Sequence, residues 1–245
     1  MDNATLHWQL GALFLLTCLV ASPVGCAPFV DSQAKALLDC EVAWNRTFVG
    51  WDVGGECSTA ECVRCNDQGM VTSLNLYRKG LTGSLPSTIG NMSSLKKIEL
   101  GRNDLSGYIP PEISKLLSLS RVDLSENAFI GSIPSAIGGL TNLTILNLNF
   151  NFLSGCIPES VGNLTHLTVL SLSSNSLSGA VPAEIGKLEN LSFLDLSHNA
   201  LTDSIPSTIG SLSVLEKLSL NFNFLSGSIP ESVGNMTKLT ELYVV

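Results

Sequence analysis

Positive charge, histidine, aromatic side chains and long apolar runs are all scarce in this 245-residue chain, and each shortage removes a class of function. Lys and Arg number 13 against 21 Asp and Glu, a net charge of −8, the wrong sign for a protein that gains affinity by neutralising phosphates. Nucleic acid is not expected as a partner. Of the three histidines only His166 and His198 lie beyond the amino-terminal segment, and neither accompanies a nucleophile in a setting such as G-x-S-x-G. With no glycine-rich phosphate loop and no histidine pair at metal spacing, neither metal nor cofactor is expected. Glu112, Glu159, Glu184 and Glu231 follow prolines singly. Sugar hydrolysis needs two carboxylates converging across a cleft at roughly 5–10 Å, which a repeating surface does not offer. The chain does not read as an enzyme.

The longest apolar run, Leu10 to Ala21, is too short to span a bilayer, which takes roughly 20 apolar residues. Followed by the small residues from Ala21 to Ala27, it reads as an export signal over residues 1–27, although its first ten residues carry no Lys or Arg. Export would make Asn45, Asn91, Asn142, Asn163, Asn190 and Asn235 glycan acceptors, because each opens an N-x-S/T triplet.

What is abundant is leucine, 41 residues, and it is periodic. Prolines 86, 110, 134, 158, 182, 206 and 230 are 24 apart each time. From Val71 to Val245 the sequence divides into seven 24-residue units and the start of an eighth, each following L-x-x-L-x-L-x-x-N-x-L-x-G-x-I-P with a later I/V-G-x-L. Leu170 and Leu172, alternating with Val169, Ser171 and Ser173, carry the period-2 signature of a short strand with one buried face. A single such strand cannot bury itself, but strands stacked at about 4.8 Å let each leucine row cover the next, so the expected architecture is an α/β solenoid. Asn103, Asn127, Asn151, Asn175, Asn199 and Asn223 stand where the chain turns away from the strand, with amides suited to backbone groups that the turn leaves unpaired. The glycines at 83, 107, 131, 155, 179 and 227 permit a tight return, and Ile-Pro then starts an extended or loosely helical back wall. Lys79 replaces the Asn in the first unit; Asp203 replaces the Gly in the sixth and is expected to loosen its turn. Residues 122–166 and 194–238 agree at 30 of 45 positions, which marks a duplication of three units.

This consensus resembles the plant-type leucine-rich repeat of receptor-like kinase ectodomains, receptor-like proteins and polygalacturonase-inhibiting proteins. The resemblance implies a horseshoe with short parallel β-strands on its concave face and a disulfide-bonded amino-terminal cap, here residues 28–70. In that cap Asp31 to Leu38 reads as a helix with Asp31 or Ser32 as N-cap. Leu37, Leu38, Trp44, Phe48 and Trp51 are placed to cover the first leucine edge. Cys40, Cys57, Cys62 and Cys65 allow three pairings, and an exported small cap favours structural disulfides over a redox or zinc site. The resemblance implies Cys57 with Cys65, leaving Cys40 for Cys62. Cys156, whose place is taken by Ser228 in the duplicate, reads as a passenger.

Function by the same resemblance is recognition of an extracellular protein or peptide, with a co-receptor as a further partner. The expected binding residues, all on the concave face, are Tyr77, Arg78, Lys97, Arg102, Arg121, Phe150, Phe193, His198 and Phe222, since exposed aromatics and arginines most often anchor interfaces. The bland account of the aromatics is mutual packing, with Phe193 and Phe222 one strand apart on a diagonal. Inhibition of a secreted cell-wall-degrading enzyme is the alternative; ice or polysaccharide binding would need more regular Thr or Asn rows. The chain stops inside the strand of an eighth unit, which leads us to expect a longer protein with more repeats, a membrane span or a kinase beyond it, and a secreted or cell-surface location.

Overall fold

The computed structural model describes residues 31–44 and 62–244. The signal segment, Asn45, Phe48, Trp51 and Cys57 lie outside the described residues. Helix α1 runs Asp31–Ala43, five residues beyond the predicted stretch. It is followed by two parallel stacks of short strands. The larger, nine-stranded sheet comprises β1 (Val63–Cys65), β2 (Val71–Asn75), β4 (Lys97–Glu99), β6 (Arg121–Asp123), β8 (Ile145–Asn147), β10 (Val169–Ser171), β12 (Phe193–Asp195), β14 (Lys217–Ser219) and β15 (Glu241–Tyr243), in that spatial order. All neighbours are parallel and in 24-residue register, as in Val169 opposite Ile145 and Phe193, except that β1 pairs antiparallel with β2.

The strands repeat because the interior does. Leu146, Leu170, Leu194 and their equivalents as far as Leu218 point inward and are buried, together with the leucines two residues on and the Leu, Ile or Val that precedes each proline as far as Pro206; at the end of the stack Ile229 and Leu242 are 50% and 40% exposed. Fully burying one such side chain contributes about 1.5–3 kcal/mol. Each row is covered by the rows before and after it, so the core is a column without a centre.

Between rows the asparagines stitch the turns. In Asn151 the Oδ1 accepts from the Phe129 N–H at 3.0 Å, while the Nδ2 donates to the Leu124, Leu148 and Asn149 carbonyls at 3.0, 3.1 and 3.2 Å. Asn103, Asn127, Asn175, Asn199 and Asn223 repeat this pattern. On the opposite border a second row takes over: Thr144 Oγ1 donates to the Ser120 carbonyl at 2.7 Å, and Thr168 Oγ1 to the Thr144 carbonyl at 3.0 Å.

The return arm differs from the sequence expectation. Immediately after the asparagines the chain forms a second, six-stranded parallel sheet: β3 (Thr82–Ser84), β5 (Asp104–Gly107), β7 (Ala128–Gly131), β9 (Phe152–Gly155), β11 (Ser176–Ala180) and β13 (Ala200–Thr202). The signal was the alternation around each buried leucine, as in Phe152-Leu153-Ser154, exposed, buried, exposed. The back wall proper is a series of five-residue 3-10 turns, each begun by an extended proline such as Pro134 at φ −64° and ψ 130°. There the missing proline N–H costs nothing.

Asp203 holds the turn position of the sixth unit, its carbonyl accepting from the Ser226 N–H at 2.8 Å. It sits at φ +64°, a region the other units fill with Gly, and beyond β13 the second sheet shrinks to a single bridge between Ser204 and Ser226. Asp203→Gly is expected to stabilise the chain by about 1 kcal/mol and raise the thermal midpoint by about 2–4 °C. An unchanged or lower midpoint in a thermal melt would show that the aspartate imposes no strain.

The cap confirms some expectations and corrects others. Trp44 and Leu37 are buried against the first repeat, but Leu38 is 45% exposed because it falls on the outer side of α1. Gln33 is also buried, its Oε1 accepting from the Val71 N–H at 2.9 Å. The Cys40–Cys62 pairing is not formed: both are free thiols. Cys40 faces the apolar core from α1, where burial pushes its thiol pKa far up, with the charges of Asp39 and Glu41 adding to the effect. Cys65 is disulfide-bonded, to a partner outside the described residues.

Candidate recognition surface

The outer face of the nine-stranded sheet is set by the strand alternation. Residues flanking the buried leucines form straight rows across the stack. One row runs Lys97, Arg121, Ile145, Val169, Phe193, Lys217, Glu241, each in register with the next. A second runs Glu99, Asp123, Asn147, Ser171, Asp195, Ser219 and Tyr243.

A third row borders the asparagines: Arg78, Arg102, Glu126, Phe150, Ser174, His198 and Phe222. All seven have positive φ, between 51° and 56°. From Arg78 to His198 each N–H donates to a carbonyl of the following unit, for example Phe150 to Ser173 at 2.9 Å and His198 to Asn221 at 3.0 Å. A left-handed conformation costs a side chain bearing a Cβ about 1–2 kcal/mol relative to the ordinary regions, and Gly or Asn avoids most of it. The row nevertheless carries Arg, Phe and His. Phe150 is 56% and Phe222 63% exposed.

Five of the nine sequence-derived residues, Arg78, Arg102, Phe150, His198 and Phe222, therefore share one ridge. Lys97, Arg121 and Phe193 lie in the first row, and Tyr77 stands beside the ridge. Arg102 Nε pairs with Glu126 Oε1 at 2.7 Å and sits 5.9 Å from the centre of the Tyr77 ring. The hydrogen bond and charge of Glu126 raise the Arg102 pKa. Arg121 Nε lies 2.9 Å from Glu99 Oε1. Exposed pairs of this kind fix side-chain direction more than they stabilise the fold.

The diagonal packing of Phe193 with Phe222 is not what the structure shows. Phe222 stacks on His198, ring centres 4.2 Å apart, because both belong to the ridge and are neighbours one unit apart. Phe193 is half-buried in the first row, with Lys217 Nζ 5.8 Å above it. Lys217 also approaches the Tyr243 ring at 5.3 Å and pairs with Glu241 Oε2 at 2.9 Å. That hydrogen bond, and then its charge, hold the Glu241 carboxyl below the usual carboxylate range. Sequence reasoning missed Lys217, Ile145 and Val169, yet the 24-residue phase that placed Lys97 and Arg121 places them in the same row. It also missed Phe152 and Phe224, 64% and 72% exposed, which occupy the flank formed by the second sheet rather than the main face. No group of three or more His, Cys, Asp or Glu placed to hold a metal occurs among the described residues.

With this geometry the comparisons are specific. The family described as "Leucine-rich repeat region" matches residues 145–245, and "Leucine Rich Repeat" matches 94–116 and 118–140. The structure of PEPR1 with AtPEP1 aligns at TM-score 0.82 and 33% identity over 88% of this chain. The chain belongs to the leucine-rich-repeat family. The ectodomain of the Arabidopsis receptor kinase HAESA, in complex with an IDA peptide hormone ligand, aligns at TM-score 0.69 and 27% identity over 86% of this chain. A plant ice-binding protein aligns at TM-score 0.73 and 27% identity, covering 90% of this chain and 79% of its own. This leucine-rich-repeat chain spans only 31% of the PEPR1 chain and 40% of the HAESA chain. None of the curated proteins compared matches it.

Proposed function

We propose that this leucine-rich-repeat chain recognises an extracellular peptide or protein through the outer face of its nine-stranded sheet, as a secreted or cell-surface module in signalling or defence. One observation carries the reading: a ridge that strains its backbone to hold Phe150, His198 and Phe222 in solvent, where Gly or Asn would cost less. The likeness to the HAESA ectodomain, solved with a peptide hormone, supports it. A preformed sheet lowers the ordering cost of binding, so a few anchors suffice. The export signal over residues 1–27 and glycans on the sequon asparagines belong to the same proposal. Asn91, Asn163 and Asn235 share one exposed back-wall column, away from the proposed face. A co-receptor would be a second protein on the remaining surface.

The test is to pan a random 12-residue peptide display library on the purified chain and measure the enriched peptides against Arg102→Ala/Arg121→Ala/Phe150→Ser. Affinity is expected to fall at least tenfold while thermal unfolding stays nearly unchanged, since all three side chains are on the surface. Unaltered binding isotherms would reject this face.

The ice-binding relative supports a second reading on the flank of the second sheet, where Thr82, Ser106, Ser154, Ser178, Thr202 and Ser226 recur at one position of the unit. Ile130 interrupts that row, and Asp104, Phe152 and Phe224 interrupt its neighbour. Thermal hysteresis at the level of buffer would dismiss it.

A further inference from the structure

The recognition face is divided along the stack. In the first three units it carries Arg78, Lys96, Lys97, Arg102 and Arg121 against Glu99, Asp123 and Glu126, a local excess of positive charge in a chain whose net charge is −8. Arg102 and Arg121 are answered by Glu126 and Glu99. Arg78, Lys96 and Lys97 are exposed and form no ion pair among the described residues. Asp123 is turned inward along the sheet, its Oδ1 accepting from the Ser125 N–H and hydroxyl at 3.0 and 2.6 Å.

In the next three units the same rows lose their charge. Ile145, Val169 and Phe193 stand side by side in register, each half-buried, with Asn147 and Ser171 beside them and Asp195 as the one carboxylate of these rows. Phe150 borders the strip on the ridge. Lys217 closes it, already committed to Glu241 and to the faces of Phe193 and Tyr243.

Resting on the function proposed above, we infer that the ligand is a single extended peptide segment of two parts: carboxylates over Arg78, Lys96 and Lys97, and apolar side chains over Ile145, Val169 and Phe193. Charge complementarity selects the first part. Unpaired cations on an acidic protein concentrate anions locally and repel cationic competitors. Burial selects the second, because half-covered aliphatic and aromatic groups gain from being sealed by a partner. The spacing is fixed by the stack. From Lys97 on β4 to Val169 on β10 is three strand steps, about 14 Å at about 4.8 Å each, which about four residues of extended chain span at about 3.3 Å per residue. Acidic and apolar parts should therefore be offset by about four residues.

The same random 12-residue library decides this with a charge-reversed bait, Lys96→Glu/Lys97→Glu, whose two side chains are both exposed. Against the native chain the enriched peptides are expected to hold an acidic block and an apolar block at that offset. Against the reversed chain the acidic block should be replaced by a basic one while the apolar block persists. Acidic peptides from the first selection should lose at least tenfold in affinity for the reversed chain, and Val169→Ser should weaken both sets. If the enriched peptides show no such blocks, or are indifferent to reversal, but still lose affinity for the Arg102/Arg121/Phe150 variant, this inference fails and the face stands. If neither variant alters binding, or no peptide is enriched, both fail. Circular dichroism of each variant verifies that the solenoid is intact.

Discussion

Asn151→Ala is expected to cost about 3 kcal/mol and lower the thermal midpoint by about 10 °C, although the residue contacts no ligand surface and its side chain is small. Its amide meets four backbone groups from three segments: the Phe129 N–H and the carbonyls of Leu124, Leu148 and Asn149. Asn151 is buried, so water does not replace the lost partners at no cost, and each stranded polar group carries a desolvation penalty of about 1–3 kcal/mol. Asn151→Asp provides the second arm. It keeps the acceptor for Phe129 but turns the donor nitrogen into an oxygen facing three carbonyls, and it buries a charge; its cost should equal or exceed that of alanine. Ser174→Ala, one unit away on the exposed ridge, should change little. Denaturant unfolding of the three variants checks the order. A loss below about 1 kcal/mol for Asn151→Ala would mean that the turn rearranges around the gap.

Gly83→Ala is expected to detach the cap while sparing the later repeats. Gly83 lies at φ +85°, and a Cβ there would collide with the Ala43 carbonyl oxygen at the end of α1 and come within 3.0 Å of its carbon. Both obstacles are backbone, so no side-chain rotation relieves them. Left-handed geometry costs about 1–2 kcal/mol, and the clash adds about 1–3 kcal/mol unless the helix moves. Movement of α1 would expose Trp44, Leu37 and Cys40, all buried at this junction. Hydrogen exchange should show lost protection over 31–43 and unchanged protection from about residue 119 onward, because contacts in a solenoid reach only adjacent units. Thiol labelling of Cys40, suppressed in the native chain by burial and a raised pKa, should become fast. Equal loss of protection along the whole stack would instead show that the cap and repeats unfold as one unit.

The sequence carried much of this because a repeat states its rule many times. The 24-residue phase placed the strands, the inward leucines, the asparagine row and the faces of Lys97, Arg121 and Phe193 without reference to coordinates. It was less informative wherever the outcome depended on contacts between units. The helix end at Ala43, the outward turn of Leu38 and the unpaired state of Cys40 and Cys62 follow from how one non-repeating cap settles on one edge, and no periodicity describes that. Stacking of Phe222 on His198 rather than on Phe193 depended on the positive φ shared by the ridge, a backbone property hidden behind Arg, Phe and His, which do not advertise it.

By itself, then, the sequence determined the architecture and the identity of the exposed face, since period and burial are linear properties of the chain. Tertiary structure alone decided which exposed residues are neighbours, which cations are already paired, and where charge gives way to an apolar strip. Those depend on distances across strands 24 residues apart in sequence and about 4.8 Å apart in space.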